Sequence, residues 1–323
     1  MSILVYTENW DGKFKKSSFE LVSYASKLAE MMNTTATALS VGNVDKVELE
    51  KLAKYGADKI VNATGNGLAI FDTQAYTHVI TRFAQKTGAD IIILSNNNTG
   101  KALAPRLSVK LKAGIGSGVN KLPISIDPFV VCKRAYSGNA FAHLMIKTSI
   151  RIITLAQNSF ELIEKNKNVA IEDETVNVDG ALIRTVVKDV QKQSGKILLT
   201  DADIVVSGGR GMKSPDNWGP LIELAGLLGA ATACSRPVSD EGWRGHEEHT
   251  GQTGKIISPN LYIAIGISGA TQHLAGVSSS KYIVAVNIDK DAPIFEVAQY
   301  GIVGDAMKVL PKLIEAYKEM KVR

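Results

Sequence analysis

Cysteine is nearly absent. Cys132 and Cys234 are the two in 323 residues, too few for a disulfide framework and too far apart for a zinc or CxxC spacing. Both are expected as small buried hydrophobes rather than reactive thiols. No apolar run reaches the roughly 18 residues of a membrane span, so the chain is expected not to be membrane-embedded. The opening MSILVYTENWDGKFKK lacks the basic region, apolar stretch and cleavage site of a signal peptide and the Arg-rich character of a transit peptide. A cytoplasmic protein is the expectation. Charge is not strongly one-sided either: 37 basic against 32 acidic residues leave +5, and no basic stripe interleaved with aromatics points to nucleic acid.

Several catalytic motifs are also missing. GGRGMK at 208–213 fails the GxGxxG dinucleotide fingerprint, with Ser214 three residues after Gly211. GQTGK at 251–255 lacks the spacer of a phosphate-binding loop and is followed by Ile256 rather than Ser or Thr, which argues against a nucleotide-hydrolysing loop. NNNTGKA at 96–102 fails in the same way and reads as a helix start, with Thr99 a candidate cap. HEEH at 246–249 is not HExxH and has no third ligand at motif spacing, so a solvated loop is expected there rather than a metal site. Ser207, Ser235 and Ser268 stand outside any GxSxG elbow.

What is present describes a globular α/β protein. Hydrophobic residues make up 45% and charged residues 21%, and mean hydropathy is +0.03. The length suits two domains. ILVYTE, TATALSV, KIVNA and DIIILSN read as strands between helices SFELVSYASKLAEMM, KVELEKLAKYGA, AYTHVITRFAQKTG and ALAPRLSVKLKA, the pattern of βαβ units. FVVCKRA, AFAHLMIKT and IRIITLA suggest an antiparallel meander. Residues 157–179 read as a surface connection and 181–190 as one more strand. A boundary is expected near residue 195, giving an N-terminal α/β domain over 1–194 and a second over 195–323, with a hinge at 190–200. The second domain runs through DIVVSGG, GPLIELAGLLGA, ATACS, LYIAIGI, a helix from Ala270, YIVAVNI, a short IFEVAQYG segment and a terminal helix AMKVLPKLIEAYKEMK. The fold class expected is two Rossmann-like parallel-sheet domains.

Residues 235–276 gather arginine, histidines, an interrupted run of glycines and an apolar strand that stops at Ser268-Gly269. Glycines let backbone N–H groups approach a ligand, and a strand ending in a small-residue turn before a helix aims them at an anion. A phosphate-bearing cofactor is expected here. GGRGMK is open between an anion-binding nest and a plain tight turn. His273, alone, reads more readily as a structural residue; beside Arg236 and GQTGK it offers a cation or donor to an electron-rich ring.

VVSGGRGMKS, SRPVSDEGW, GQTGKIISPNLYIAIGISGATQHLAG and IVAVNIDKDAPIFEVAQYGIVGD resemble the alpha subunits of the electron-transferring flavoproteins, over most of the last 125 or so residues. Over 1–190 the likeness lies in the order of elements, and RGHEEHT at 244–250 departs from the relatives' pattern. The resemblance implies FAD in the second domain and a heterodimer with a beta subunit that carries AMP or a second FAD. It implies an electron carrier rather than an enzyme, taking electrons from acyl-CoA and related dehydrogenases in fatty acid beta-oxidation and delivering them to a membrane quinone oxidoreductase. Carried over by motif position, Arg236 lies against the isoalloxazine, with Thr253 near N5, Gln252 near O4 and His273 near O2. Arg210, Ser235, Thr250, Gly251, Ser268, Gly269, Ala270, Thr271 and Gln272 line the ribityl and pyrophosphate, and Asn287 and Asp305 meet the adenosine end. A positive charge about 4 Å from the ring, at an effective dielectric near 20, is worth about 4 kcal/mol. At about 59 mV per 1.4 kcal/mol that sets an upper limit of about 170 mV on its effect on the first potential. The rival from another class is an ATP- or NAD-binding regulatory α/β protein without flavin.

Overall fold

A computed structural model describes residues 2–138, 140–183, 185–190 and 197–322. The boundary expected near 195 and residues 191–196 of the expected hinge lie outside the described residues. The chain divides into two compact units, Met1–Ala135 with Ala140–Gln191, and Tyr136–Asn139 with Lys192–Arg323.

In the first unit, β1 (Ile3–Tyr6) leads through a small hairpin of β2 (Asn9–Trp10) and β3 (Lys13–Phe14) to α1 (Lys16–Met31). There follow β4 (Ala36–Val41), α2 (Lys46–Lys54), β5 (Lys59–Thr64), α3 (Thr73–Thr87), β6 (Ile91–Ser95) and α4 (Asn98–Leu111). The unit continues with β7 (Gly114–Val119), β8 (Val130–Ala135), β9 (Ala140–Met145), β10 (Arg151–Leu155) and β11 (Ile171–Thr175). The sheet runs β11-β5-β4-β1-β6-β10-β7-β8-β9. Because β1 is covered on both faces, it is apolar throughout: Ile3 and Val5 pack with Leu21, Leu28 and Leu52 from α1 and α2, and Leu4 and Tyr6 with Val79, Phe83 and Leu103 from α3 and α4.

Four expectations change here. IRIITLA is not the third strand of a meander: β10 lies parallel between β6 and β7, leaving β8 and β9 as an antiparallel hairpin. Its apolar composition suits either direction, and the pairing is non-local. Residues 157–179 are more than a connection. Buried Glu20 accepts from the N–H groups of Asn158, Ser159 and Phe160, and IEDET forms the parallel edge strand β11 beside β5. Its acidic side chains find partners in Lys59, Arg82 and Lys86. Residues 181–190 hold no strand among those described; a 3-10 turn covers Gly180–Leu182. Finally, α4 is capped by Asn97, whose Oδ1 accepts from Gly100 N at 2.9 Å, whereas Thr99 donates to Glu8 at 3.0 Å.

The second unit carries β12 (Ile204–Gly208), α5 (Gly219–Leu228), β13 (Ala231–Cys234), α6 (Arg236–Asp240), β14 (Leu261–Ile265), α7 (Thr271–Val277), β15 (Tyr282–Asn287), α8 (Ile294–Val297), β16 (Tyr300–Val303) and α9 (Ala306–Val322). Its five strands, all parallel, run β13-β12-β14-β15-β16. Leu221, Leu224, Leu310 and Ile314 of α5 and α9 cover one face; Val277 and Ile294 of α7 and α8 cover the other. The edge strand β16 begins in the last two residues of the IFEVAQYG segment and runs two residues past it; it escapes pattern reading because all four residues are exposed. Pro311 is the sixth residue of α9, beyond the first turn in which a missing N–H is free.

Candidate functional site

The order of the second sheet reverses between β12 and β14, since β12 leads to β13 on one side and β14 lies on the other. Ligands of open parallel sheets sit outside the carboxyl ends at such a point. Every residue singled out for the cofactor lies at this edge or in the loops over it. Arg210 follows β12, Ser235 and Arg236 follow β13, residues 268–273 follow β14, Asn287 ends β15 and Asp305 follows β16. Neighbouring strands are about 4.8 Å apart, so the line from Ser235 to Asp305 suits an extended ligand.

The turns are held together by close backbone contact. A Cβ on Gly209 would stand 2.2 Å from the Gly266 carbonyl oxygen, and one on Gly211 2.5 Å from Gly266 Cα. GGRGMK is thus a tight 3-10 turn seated on the exit of β14, with Gly211 N donating to Gly266 O at 3.0 Å. Gly269, at φ +85°, has the left-handed backbone that glycine tolerates best, and a Cβ there would meet Ile294 N at 2.4 Å. Asn287 staples the edge: its Nδ2 donates to Ile267 O at 2.8 Å and its Oδ1 accepts from Asp289 N at 2.9 Å. Asp305 accepts from Lys213 Nζ at 2.8 Å and from Met307 N at 2.9 Å, and both hold its carboxyl below the ordinary carboxylate range.

GQTGK lies against the start of α7, with Gln252 N donating to Gln272 O at 2.7 Å. Thr250 is fully buried and its hydroxyl turns to the Cys234 carbonyl at 3.2 Å. Gln252, Thr253, Ser268, Ala270, Thr271, Gln272, Arg210 and Arg236 are exposed, whereas Ser235, Gly251, Gly269 and His273 are buried. Arg236 Nε is 3.2 Å from Asp240 Oδ2, with the arginine side chain 63% exposed, a surface pair of small energetic weight.

His273 is expected to offer a cation or a donor, and its burial bears on which. Burial pushes its pKa down to about 4, partly opposed by the Thr250 carbonyl, so at neutral pH the imidazole is uncharged. Its Nε2 lies 2.8 Å from the hydroxyl of Tyr262, which is wholly buried. Its Nδ1 is buried and makes no hydrogen bond of good geometry, although the Thr250 carbonyl acts on the ring as an acceptor. The sequence offers no signal for Tyr262, which sits inside an apolar strand and reads as core.

HEEH is only half solvated: His246 and Glu247 are exposed, Glu248 and His249 buried. Arg244 donates through Nε and Nη2 to the two carboxylate oxygens of Glu248, at 2.8 and 2.5 Å, and Glu248 is 5% exposed. His249 pairs with Cys234 across a bridge, burial lowers its pKa, and the Ser239 hydroxyl meets His246 Nδ1 at 2.9 Å. Both cysteines are buried and unpaired, as expected, and burial pushes the Cys234 thiol up to about 12. Among the described residues no group of three His, Cys, Asp or Glu is placed to hold a metal, and no helix is long and apolar enough to cross a membrane.

Two family descriptions match: "Electron transfer flavoprotein domain" over residues 3–179 and "Electron transfer flavoprotein FAD-binding domain" over residues 198–278. The chain belongs to the electron transfer flavoprotein alpha-subunit family. It is 36% identical over 316 residues to the electron transfer flavoprotein subunit alpha of Syntrophomonas wolfei, covering 98% of each chain. It is 35% identical to that of Bacillus subtilis, covering 99% of this chain and 98% of the relative. It is also 31% identical to the lactate dehydrogenase (NAD(+),ferredoxin) subunit LctC of Acetobacterium woodii, covering 97% of this chain and 76% of that one. Its role is electron transfer, its cofactor is FAD, and alpha subunits of this family work with a beta subunit. The second sheet fits FAD on its own chemistry: the orphaned His273 Nδ1 calls for a polar partner, and the crevice at the switch point is walled by glycine backbone.

Proposed function

We propose that this chain holds FAD along the carboxyl edge of its second sheet and relays electrons from dehydrogenases, such as the acyl-CoA class, to a membrane quinone oxidoreductase. In this reading the beta subunit covers the flavin and carries AMP or a second FAD, and the chain is a carrier with no substrate of its own. FAD supplies the one- and two-electron chemistry when bound. The work of the protein is to bind it, set its potential and leave an edge for partners.

The observation that carries this reading is the buried, unpartnered Nδ1 of His273 at the start of α7, beside the glycine-walled crevice. Arg236 faces the isoalloxazine, Thr253 and Gln252 bind its N5 and O4 side, and His273 its O2 side. Arg210, Ser235, Thr250, Gly251 and residues 268–272 hold the ribityl and pyrophosphate; Asn287 and Asp305 hold the adenosine end. The FAD domain begins near residue 195, after an N-terminal domain that contacts the partner. Two buried, unpaired cysteines support a reducing, cytoplasmic setting.

A second reading, membership of a dehydrogenase complex, is favoured by the likeness to LctC. Co-expression with the beta subunit tests the first. The expected product is a yellow one-to-one complex that accepts electrons from an acyl-CoA dehydrogenase. A fully flavin-loaded monomer that ignores the beta subunit contradicts the proposal. A complex that is reduced by a hydroxy acid, and not by such dehydrogenases, favours the second reading.

A further inference from the structure

Tyr262 and His273 form a buried pair next to the crevice, and the direction of their hydrogen bond decides what the crevice is offered. The rings lie 6.1 Å apart at 45°, and the phenol oxygen is 2.8 Å from Nε2. Two arrangements satisfy that distance. In one, Nε2–H donates to the phenol; the phenol proton then needs another acceptor, and Nδ1 is left as a bare lone pair. In the other, the phenol donates to Nε2 and Nδ1 carries the ring proton.

The surroundings favour the second arrangement. Burial raises the Tyr262 pKa, so the phenol keeps its proton. The imidazole is neutral, so it has one proton to place. Placing it on Nε2 leaves Nδ1 a bare buried lone pair, and placing it on Nδ1 gives both ring nitrogens a use once an acceptor binds.

We propose that Tyr262 donates to Nε2 of His273 and thereby holds the imidazole as its Nδ1–H tautomer, with that N–H offered to the pyrimidine edge of the bound isoalloxazine. This rests on the FAD site proposed above. Tyr262 is a positioning residue: it touches no cofactor and acts through the histidine. A donor at that edge favours the reduced, electron-rich ring; a bare nitrogen lone pair opposes it. The tautomer thus sets part of the potential without any charge on His273.

The test is long-range 1H–15N correlation NMR of 15N-histidine-labelled full-length chain, alone and in the FAD-loaded complex, with redox titration of that complex. Wild-type His273 is expected as Nδ1–H in both states. Tyr262→Phe keeps the ring that fills the site and removes the donor. It is expected to give a tautomer mixture and to lower the preference for reduced over oxidised FAD roughly three- to tenfold, about 30 to 60 mV for one electron. A wild-type His273 carrying its proton on Nε2 overturns the proposal. So does a Tyr262→Phe complex with an unchanged tautomer and potential. A complex that takes up no FAD overturns the proposed function instead, while the tautomer in the flavin-free chain still decides what Tyr262 does.

Discussion

The two sheets have the same kind of crevice and use it in opposite ways. In the first sheet the strand order reverses between β1 and β6, and the chain fills that place itself. Glu8, just after β1, accepts from Asn97 Nδ2 at 2.6 Å, Thr99 Oγ1 at 3.0 Å and Trp10 Nε1 at 3.1 Å, so its carboxylate stands at the N-terminus of α4 where an anionic ligand would go. In the second sheet the reversal between β12 and β14 is walled by glycine backbone and flanked by an unpartnered imidazole nitrogen. Topology therefore makes a crevice in both sheets. Which one is free for a ligand is decided by what the loops carry: an internal anion in one, glycines and donors in the other.

The largest way to break the second crevice is steric. Gly209→Ala places a Cβ 2.2 Å from a backbone oxygen that has no rotamer to move, and a loss of about 3 kcal/mol is expected, measured by denaturant unfolding, together with reduced FAD retention. The next test uses protons. The folded pKa of His273 is about 4 against 6.5 in the unfolded chain. A depressed value means stability that is full above pH 6.5 and lost as pH falls toward 4. The difference amounts to about 3 kcal/mol for the flavin-free chain. His273→Gln should remove most of that slope, leaving the same-signed contribution of His249.

Opening the first crevice should cost less. Glu8→Ala strands Asn97 and Thr99 and removes an anion from the start of α4, for an expected loss of about 2 kcal/mol. If the carboxylate is the stand-in anion, millimolar sulfate should raise the melting temperature of Glu8→Ala more than that of the wild type. Equal shifts would remove the parallel between the two crevices. The smallest effect belongs to Arg236. An upper limit of about 170 mV holds at a dielectric near 20, and about 40 mV at that of water. With 63% of the side chain exposed and Asp240 beside it, Arg236→Ala should lower the first potential by an amount near the smaller figure, and Arg236→Lys by less. An unchanged potential in redox titration would leave Arg236 as half of a surface ion pair.

The strands with near-continuous apolar runs and the helices with clear periodicity are legible in the sequence, as is the concentration of glycines and donors after β13 and β14. What escapes reading is set by partners far away in the chain. β10 is apolar enough to pair in either direction, and its central parallel place depends on β6 and β7. β11 is acidic and becomes a strand because Lys59, Arg82 and Lys86 lie beside it. Glu248 looks like a solvated carboxylate until Arg244 folds against it. Glu8 and Tyr262 carry no local signal because each acts on a residue presented by another element, at Asn97 and at His273.

The central claim is that the cofactor occupies the second crevice and is excluded from the first. The most direct test is an X-ray structure of the FAD-loaded complex with the beta subunit, read for cofactor density on this chain. The account expects continuous density along the carboxyl edge of the second sheet from Ser235 to Asp305, with an acceptor atom at hydrogen-bond distance from His273 Nδ1 and no cofactor at Glu8. Density seated over Glu8 and Asn97, or a His273 Nδ1 still without a partner beside bound FAD, would contradict it.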